Sequence, residues 1–399
     1  MNLKLHNSLS GKVEEFISIE SGKARLYHCG PTVYNSAHLG NLRSYVFADI
    51  LRRTLEYSGL SVTQVINITD IGHLSSDADT GDDKMVKGLR REGLPLSLDG
   101  LKTLADKYEK VFKEDLELLN IETPHHFPRA TTYLAEEIEL VKLLETKGYT
   151  YPLEDGIYLD TSKVKDYGKL GGLTPLGEAS ARLDTKKKNP RDFVLWKLSR
   201  ETHLGFESPW GKGFPGWHIE CSAMSEKILG QPFDIHTGGV DHIPIHHNNE
   251  IAQSESAYDT KLANFWLHNE FVTVADGKMA KSEDNQITLK TLIEDKYSPL
   301  AYRYFLLLAH YRTPVKFSWE ALGAAQNAYN KLSNFVSNIS EEGVIDKAYR
   351  AKFVEKIEND LNMAQALAVL WTLVKDKEIS LGDKRATILD FDKVLGLNL

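Results

Sequence analysis

With 399 residues, 42% of them apolar and 26% charged, the chain is long enough for two or three domains with buried cores and has an ordinary globular composition. Two cysteines exclude a disulfide framework and fit a reducing, cytoplasmic setting, and a formal charge of −8 excludes an all-over basic coat for nucleic acid while leaving room for a local basic groove. No apolar run is long enough to span a bilayer, and the opening MNLKLHNSLSGKVEEF lacks the apolar stretch of a secretory signal.

Residues 25–34 and 62–68 are expected as short apolar strands, with an amphipathic helix from about 40 to 58 between them. This is a βαβ unit, which predicts parallel strands in a Rossmann-like doubly wound sheet. Helical spacing returns at 99–119 and 133–148. Between about 150 and 215, Gly, Pro, Lys and Asp become frequent, and short strand candidates such as GIYLD (156–160) and DFVLW (192–196) suggest an insertion. The α/β texture resumes with WHIECSAMSEKILG as helix, PFDIHTGG as strand, HHNNEIAQSESAYD as helix and NFWLHNEFVTV as strand. From about 287 onward the three- and four-residue spacing of Leu, Ala and aromatic residues predicts helix throughout. The expected organisation is a first half-sheet over 1–120, a connective insertion over 121–212, a second half over 213–286, and an all-α C-terminal bundle over 287–399.

The two cysteines lie in suggestive surroundings. An apolar, aromatic run ends at Cys29-Gly30-Pro31, and Cys221 lies in WHIECSAM. Further on, DHIPIHHNNEIAQ places His246 and Glu250 at i and i+4, on one face of a helix, with Pro244 holding His242 off it. His247 with Glu250 at i+3 is the weaker pairing. Two thiolates, an imidazole and a carboxylate make a four-ligand zinc set. The competing reading is two buried structural cysteines and a capping histidine cluster.

A second constellation concerns anions. The helix that opens at His38-Leu39-Gly40-Asn41 exposes unpaired N–H groups and the positive end of its dipole, a ready phosphate site. DGKMAKSEDN (276–285) follows a strand and carries Lys278 and Lys281, three apart, which could reach the phosphates of the same nucleotide. Either motif alone is weak.

Together, His-Leu-Gly-Asn and Lys-Met-Ala-Lys-Ser resemble the two signatures of class I aminoacyl-tRNA synthetases. The strings LKLHNSLSGKVEEF, CGPTVYNSAHLGNLR, NITDIGHL, DYGKLGGL, SPWGKGFPGWHIECSAMS, DIHTGGVDHIPIHHNNEIAQSE and KMAKS narrow the resemblance to the cysteinyl-tRNA synthetases, in order and spacing from residue 3 to the end. Some positions depart from the family pattern. Asn41 replaces the second histidine of the first signature, Ala280 the central serine of the second, and Phe214 a frequent arginine. The family's small C-terminal anticodon-binding module also has no counterpart after DFDKVLGLNL.

The resemblance implies ATP-dependent activation of L-cysteine to cysteinyl-adenylate and transfer to tRNA(Cys). It implies one Zn²⁺ on Cys29, Cys221, His246 and Glu250 that selects the substrate thiolate, Mg²⁺ accompanying ATP, and a monomer in the cytoplasm. His38, Asn41, Lys278 and Lys281 would act on ATP. Thr69 and Trp217 would line the amino-acid pocket, Gly30 would let the backbone approach the substrate, and His236 would lie near the adenylate. Lys186, Lys187, Lys188, Arg191, Lys331 and Lys352 are candidates for tRNA phosphates. Two other readings are a cysteine ligase paralogue that joins activated cysteine to a small-molecule amine, and an inactive tRNA- or metal-binding relative.

Overall fold

The computed structural model describes residues 2–71, 84–171, 186–199, 204–274 and 286–399, and the backbone of 277–278. A hairpin of β1 (Lys4–Asn7) and β2 (Lys12–Glu15) precedes β3 (Lys23–His28), α1 (Leu39–Tyr57) and β4 (Ser61–Ile66). As expected, β3 and β4 are parallel, in register from Lys23↔Ser61 to His28↔Ile66. The first strand stops at His28 rather than running to 34, because Gly30-Pro31 breaks the ladder. Three helices follow, α2 (Lys84–Glu92), α3 (Leu98–Leu118) and α4 (Leu134–Thr146). The glycine-rich middle segment contributes an antiparallel sheet of β5 (Thr150–Leu153), β6 (Gly156–Leu159), β7 (Phe193–Leu198) and β8 (Gly213–Pro215), in that order.

The chain then returns to the parallel sheet through α5 (Trp217–Leu229), β9 (Phe233–Gly239), α6 (Asn248–Tyr258) and β10 (Ala263–Asn269). The spatial order is β10-β9-β3-β4. Successive strands therefore step outward in opposite directions from the β3–β9 pair. Such a switch point opens a crevice at the carboxyl ends of the strands, the usual ligand position in doubly wound sheets. Here those ends are His28-Cys29-Gly30 and Gly238-Gly239.

The expected strand NFWLHNEFVTV divides at Glu270-Phe271 into β10 and β11 (Val272–Val274), and β11 pairs with β12 (Gly277–Lys278). The C-terminal part holds α7 (Leu289–Glu294), α8 (Pro299–Leu307), α9 (Trp319–Ser337), α10 (Lys347–Ile357), α11 (Met363–Lys375) and α12 (Leu381–Leu395). It is not helical throughout. Between α8 and α9, β13 (Val315–Lys316) pairs parallel with β11, and two residues are too few to show a strand period in sequence. The fully buried Arg303 of α8 locks these helices to α1. Its guanidinium donates to Asp49 Oδ2 at 2.5 Å, Leu395 O at 2.7 Å and Leu119 O at 3.0 Å. Arg53 also donates to Asp49 Oδ2, at 2.8 Å, so this buried carboxylate is paired from two sides. Among the described residues no helix is long and apolar enough to cross a membrane.

Candidate metal and nucleotide site

Cys29 is the first residue beyond β3, at the switch point. Its neighbour Gly30 donates its N–H to Asn67 Oδ1 at 2.7 Å, and a Cβ added to Gly30 would sit 1.5 Å from the Asn67 carbonyl oxygen. The close approach that Gly30 permits in this structure is between two chain segments. Cys221 lies in α5. His246 belongs to a wide π turn, Ile243–His247, that leads into α6, and Glu250 is in the first turn of that helix. The structure brings all four together. One ligand atom from each lies within 4.8 Å of the others, and all four residues are buried. His246 Nε2 is 3.0 Å from Glu250 Oε1, and Cys29 Sγ is 3.7 Å from the same oxygen. A zinc tetrahedron with bonds of roughly 2.0–2.3 Å has edges of about 3.3–3.8 Å, so the donors stand near coordinating positions and their chemistry fits the ion.

The charges inside this buried cluster are mutually dependent. Burial opposes ionisation of Glu250, but His236 and His246 hold its carboxyl well below the ordinary range. Burial also opposes protonation of His246, and the Glu250 carboxylate overrides it, pushing the imidazole up to about 10. A hydrogen bond from Cys29 lowers the Cys221 thiol against the effect of burial, whereas burial raises Cys29. The Glu250 carboxylate and the His246 imidazolium thus stand as an ion pair beside the two sulfurs.

Further histidines hold the cluster in place, and of these His218 and His268 carried no signal in the sequence. His218 Nδ1 lies 2.8 Å from His246 Nδ1, which turns Nε2 of His246 toward Glu250. His247 Nδ1 lies 2.7 Å from His268 Nε2, and His268 Nδ1 lies 2.8 Å from Ser8 Oγ. His247 Nε2 itself is 3.3 Å from Cys29 Sγ and 3.9 Å from Glu250 Oε1. His236 is fully buried, with Nε2 2.9 Å from Glu250 Oε2 and its ring stacked on Trp266.

A cavity of about 640 Å³ runs from this cluster to the start of α1. Cys29, Gly30, His246 and Trp217 line one end, and His38, Gly40 and Asn41 the other. Trp217 packs on His246 and lies under Lys84 Nζ, 5.1 Å from its ring centroid. His38 is the N-cap of α1. Its Nδ1 accepts from the Asn41 N–H at 3.2 Å, and Asn41 Oδ1 accepts from the His38 N–H at 3.3 Å, which closes a capping box. Burial lowers the pKa of His38. With the ring neutral and Nδ1 accepting, the proton sits on Nε2, where it can be donated.

Thr69 and His236 lie outside this lining. Thr69 Oγ1 donates to Glu220 Oε2 at 2.8 Å, and both residues are buried. Lys281 and the side chain of Lys278 lie outside the described residues. Yet the segments on either side of their loop, at Val272 and Gln286, both line the cavity, and Leu39 N donates to Ile287 O at 2.9 Å. Arg43, which sequence reading passed over, fixes this corner: its guanidinium donates to the carbonyls of Phe271, His310, Tyr311 and Thr313 at 2.6–3.2 Å. Of the expected phosphate contacts, Lys188 Nζ lies 4.4 Å from the Tyr151 ring centroid and Lys187 Nζ 5.4 Å from that of Tyr158. Lys352 Nζ covers Tyr349, and Lys331 Nζ covers Trp371.

Residues 15–327 match the family profile described as the tRNA synthetases class I (C) catalytic domain. Cysteine--tRNA ligase 1 of Burkholderia lata is 46% identical over 405 residues, which covers 100% of this chain and 85% of that protein. The cysteine--tRNA ligase of Treponema denticola is 44% identical over 432 residues, with 100% and 87% covered. Among solved structures, methionyl-tRNA synthetase of Mycobacterium tuberculosis bound by methionyl-adenylate superposes with a TM-score of 0.61 at 16% identity. The match covers 94% of this chain and 90% of that one. A putative arginyl-tRNA synthetase from Campylobacter jejuni gives 0.53 at 13% identity, with 95% and 91% covered. At such identities the likeness is one of fold.

Proposed function

The chain belongs to the class I cysteinyl-tRNA synthetases and acts as a cysteine--tRNA ligase, and from that premise we propose how its cavity divides the work. One Zn²⁺ per chain is held by Cys29, Cys221, His246 and Glu250 at the amino-acid end. When bound, it would supply a preference for a soft thiolate over a hydroxyl, where shape alone separates near-isosteres by only about 10–200-fold. Trp217 walls the cysteine on one side. Thr69 and Gly30 act from below, through Glu220 and Asn67, by holding the floor and the Cys29 turn in place. His236 acts indirectly and at the amino-acid end, by orienting Glu250.

ATP, with Mg²⁺, lies toward α1. Attack of the cysteine carboxylate on the α-phosphorus forms a carboxyl–phosphate bond as the bond to pyrophosphate breaks, and charge builds on the phosphate oxygens. Nε2–H of His38, the first N–H groups of α1 and the Asn41 amide stabilise that charge from one face, and Lys278 and Lys281 from the other. The cysteinyl group then passes to a hydroxyl of the terminal ribose of tRNA(Cys), and AMP leaves. No covalent enzyme intermediate is needed, so positioning and electrostatics supply the catalysis. Lys186, Lys187, Lys188 and Arg191 guide the acceptor end, and Lys331 and Lys352 meet phosphates along the tRNA. The chain works as a monomer in the cytoplasm, with functional boundaries near residues 120, 212 and 286.

The observation that carries this reading is the continuity of one cavity from the sulfur and imidazole donors to the capped helix N-terminus. Cysteine-dependent ATP–pyrophosphate exchange, run on zinc-loaded and chelator-stripped protein with cysteine and serine compared, tests it. The expected result is exchange with cysteine only, lost on stripping and restored by zinc. Undiminished exchange and discrimination in metal-free protein would overturn it.

A further inference from the structure

We propose that the ligand cluster contains a second, deeper seat for the metal, built from Cys29, His236, His247 and Glu250. The proposal rests on the zinc reading above and goes beyond it. These four residues also present one ligand atom each within 4.8 Å of one another, and all four are buried. Two of them, Cys29 and Glu250, belong to both sets. An ion can therefore occupy one seat or the other but not both with a full complement of ligands.

The second set is oriented as a metal site requires. Glu250 divides its oxygens, Oε1 lying 3.0 Å from His246 Nε2 and Oε2 lying 2.9 Å from His236 Nε2. His247 points Nε2 at Cys29 Sγ, 3.3 Å away, because its Nδ1 is held by the His268–Ser8 relay. A second partner of this kind fixes both the tautomer and the ring orientation of a liganding histidine. His236 is clamped flat on Trp266, with ring centroids 4.5 Å apart and planes 13° from parallel.

The two seats differ in chemistry and in access. The first has two thiolates and is the softer, so it is preferred by zinc; the second offers one sulfur, two imidazole nitrogens and one oxygen. Cys29 and His246 line the 640 Å³ cavity, whereas His236 and His247 do not. An ion in the deep seat is thus bound but screened from a substrate thiol. The deep seat is a holding position, and moving the ion outward exchanges His236 and His247 for Cys221 and His246.

The test uses the full chain carrying Cys221→Ala with His246→Ala, which removes both donors unique to the outer seat. Metal content is measured after zinc loading and gel filtration, and Co²⁺-loaded protein is examined by absorption spectroscopy. The expected result is metal retained close to one equivalent per chain, with sulfur-to-cobalt charge-transfer absorption about half that of the parent, since one thiolate remains of two. Adding His247→Gln to the pair, or replacing Cys29 by Ser alone, should abolish binding. If the double variant fails to fold, the single Cys221→Ser variant decides. In the deep seat its cobalt spectrum is unchanged by added cysteine, whereas a weakened outer seat gains a thiolate band. A folded double variant with no metal, or a cysteine-induced band in Cys221→Ser, overturns the proposal. Parent protein that binds no metal would instead overturn the zinc reading itself.

Discussion

Replacing Gly30 by alanine should uncouple the metal end of the cavity from the rest of the fold. The added Cβ would fall 1.5 Å from the Asn67 carbonyl oxygen and 2.6 Å from its carbonyl carbon, both backbone atoms that no rotamer change can clear. An ordinary Cβ contact begins at 3.4 Å, so the Cys29–Gly30 turn and the Asn67 segment must part by about 2 Å, and overpacking of this kind costs roughly 1–3 kcal/mol. The hydrogen bond from Gly30 N–H to Asn67 Oδ1, 2.7 Å long, opens with them. Cys29 is covalently next to the displaced residue, and a metal site tolerates deviations of only about 0.2 Å in ligand distance. Even half the displacement therefore takes Sγ out of coordinating range. A misplacement of about 1 Å can cost 100-fold in rate, so cysteine-dependent pyrophosphate exchange should fall at least that far in kcat/KM. Metal content should fall with it, and Tm should drop by several degrees. The assays are exchange kinetics, elemental analysis and thermal unfolding on the same preparation. Full zinc content together with exchange within tenfold of the parent would refute the reasoning, because the turn would then have absorbed the side chain without moving Cys29.

Two further outcomes are expected. Lys281→Ala should slow adenylate formation by orders of magnitude while zinc content stays unchanged, since its charge matters mainly as the transition state develops; a raised KM for cysteine at unchanged kcat would contradict the assigned role. Burial, reinforced by Glu114, pushes the buried Asp115 carboxyl up to about 7. A folded-state value above the unfolded one means that the associated stability is fully present below about pH 4 and is lost as pH rises through 7. Asp115→Asn should therefore remove a loss of up to a few kcal/mol between those limits. Chemical denaturation at pH 5 and pH 8 measures it, and parallel pH profiles for parent and variant would contradict it.

What could be read from sequence depended on scarcity and on local spacing. The outer metal set was legible because Cys29 and Cys221 are the chain's two cysteines, and because His246 and Glu250 share a helix face at a separation that survives the π turn between them. The sheet was legible for a similar reason, since parallel strands covered on both faces appear as apolar runs. The support of the site was not legible. His236 reaches Glu250 because Tyr27 pairs with His236 and His236 with Trp266 in the parallel register of β3, β9 and β10. Between β3 and β9 that register joins residues more than 200 positions apart, and no local pattern encodes it. His218 and His268 were passed over on the same ground, as single histidines on a helix and a strand. Gly30 was read as making room for substrate; it also makes room for the carbonyl of Asn67, a contact that the sequence around Gly30 does not encode. Arg43 looked like one more basic residue on a helix, yet it gathers four carbonyls from two distant segments. The donors of this site are thus set by residue type, while their aim is set by long-range pairing. The same pairing puts a second donor set behind the first, so the depth at which an ion could be held is a property of the fold and not of the motif.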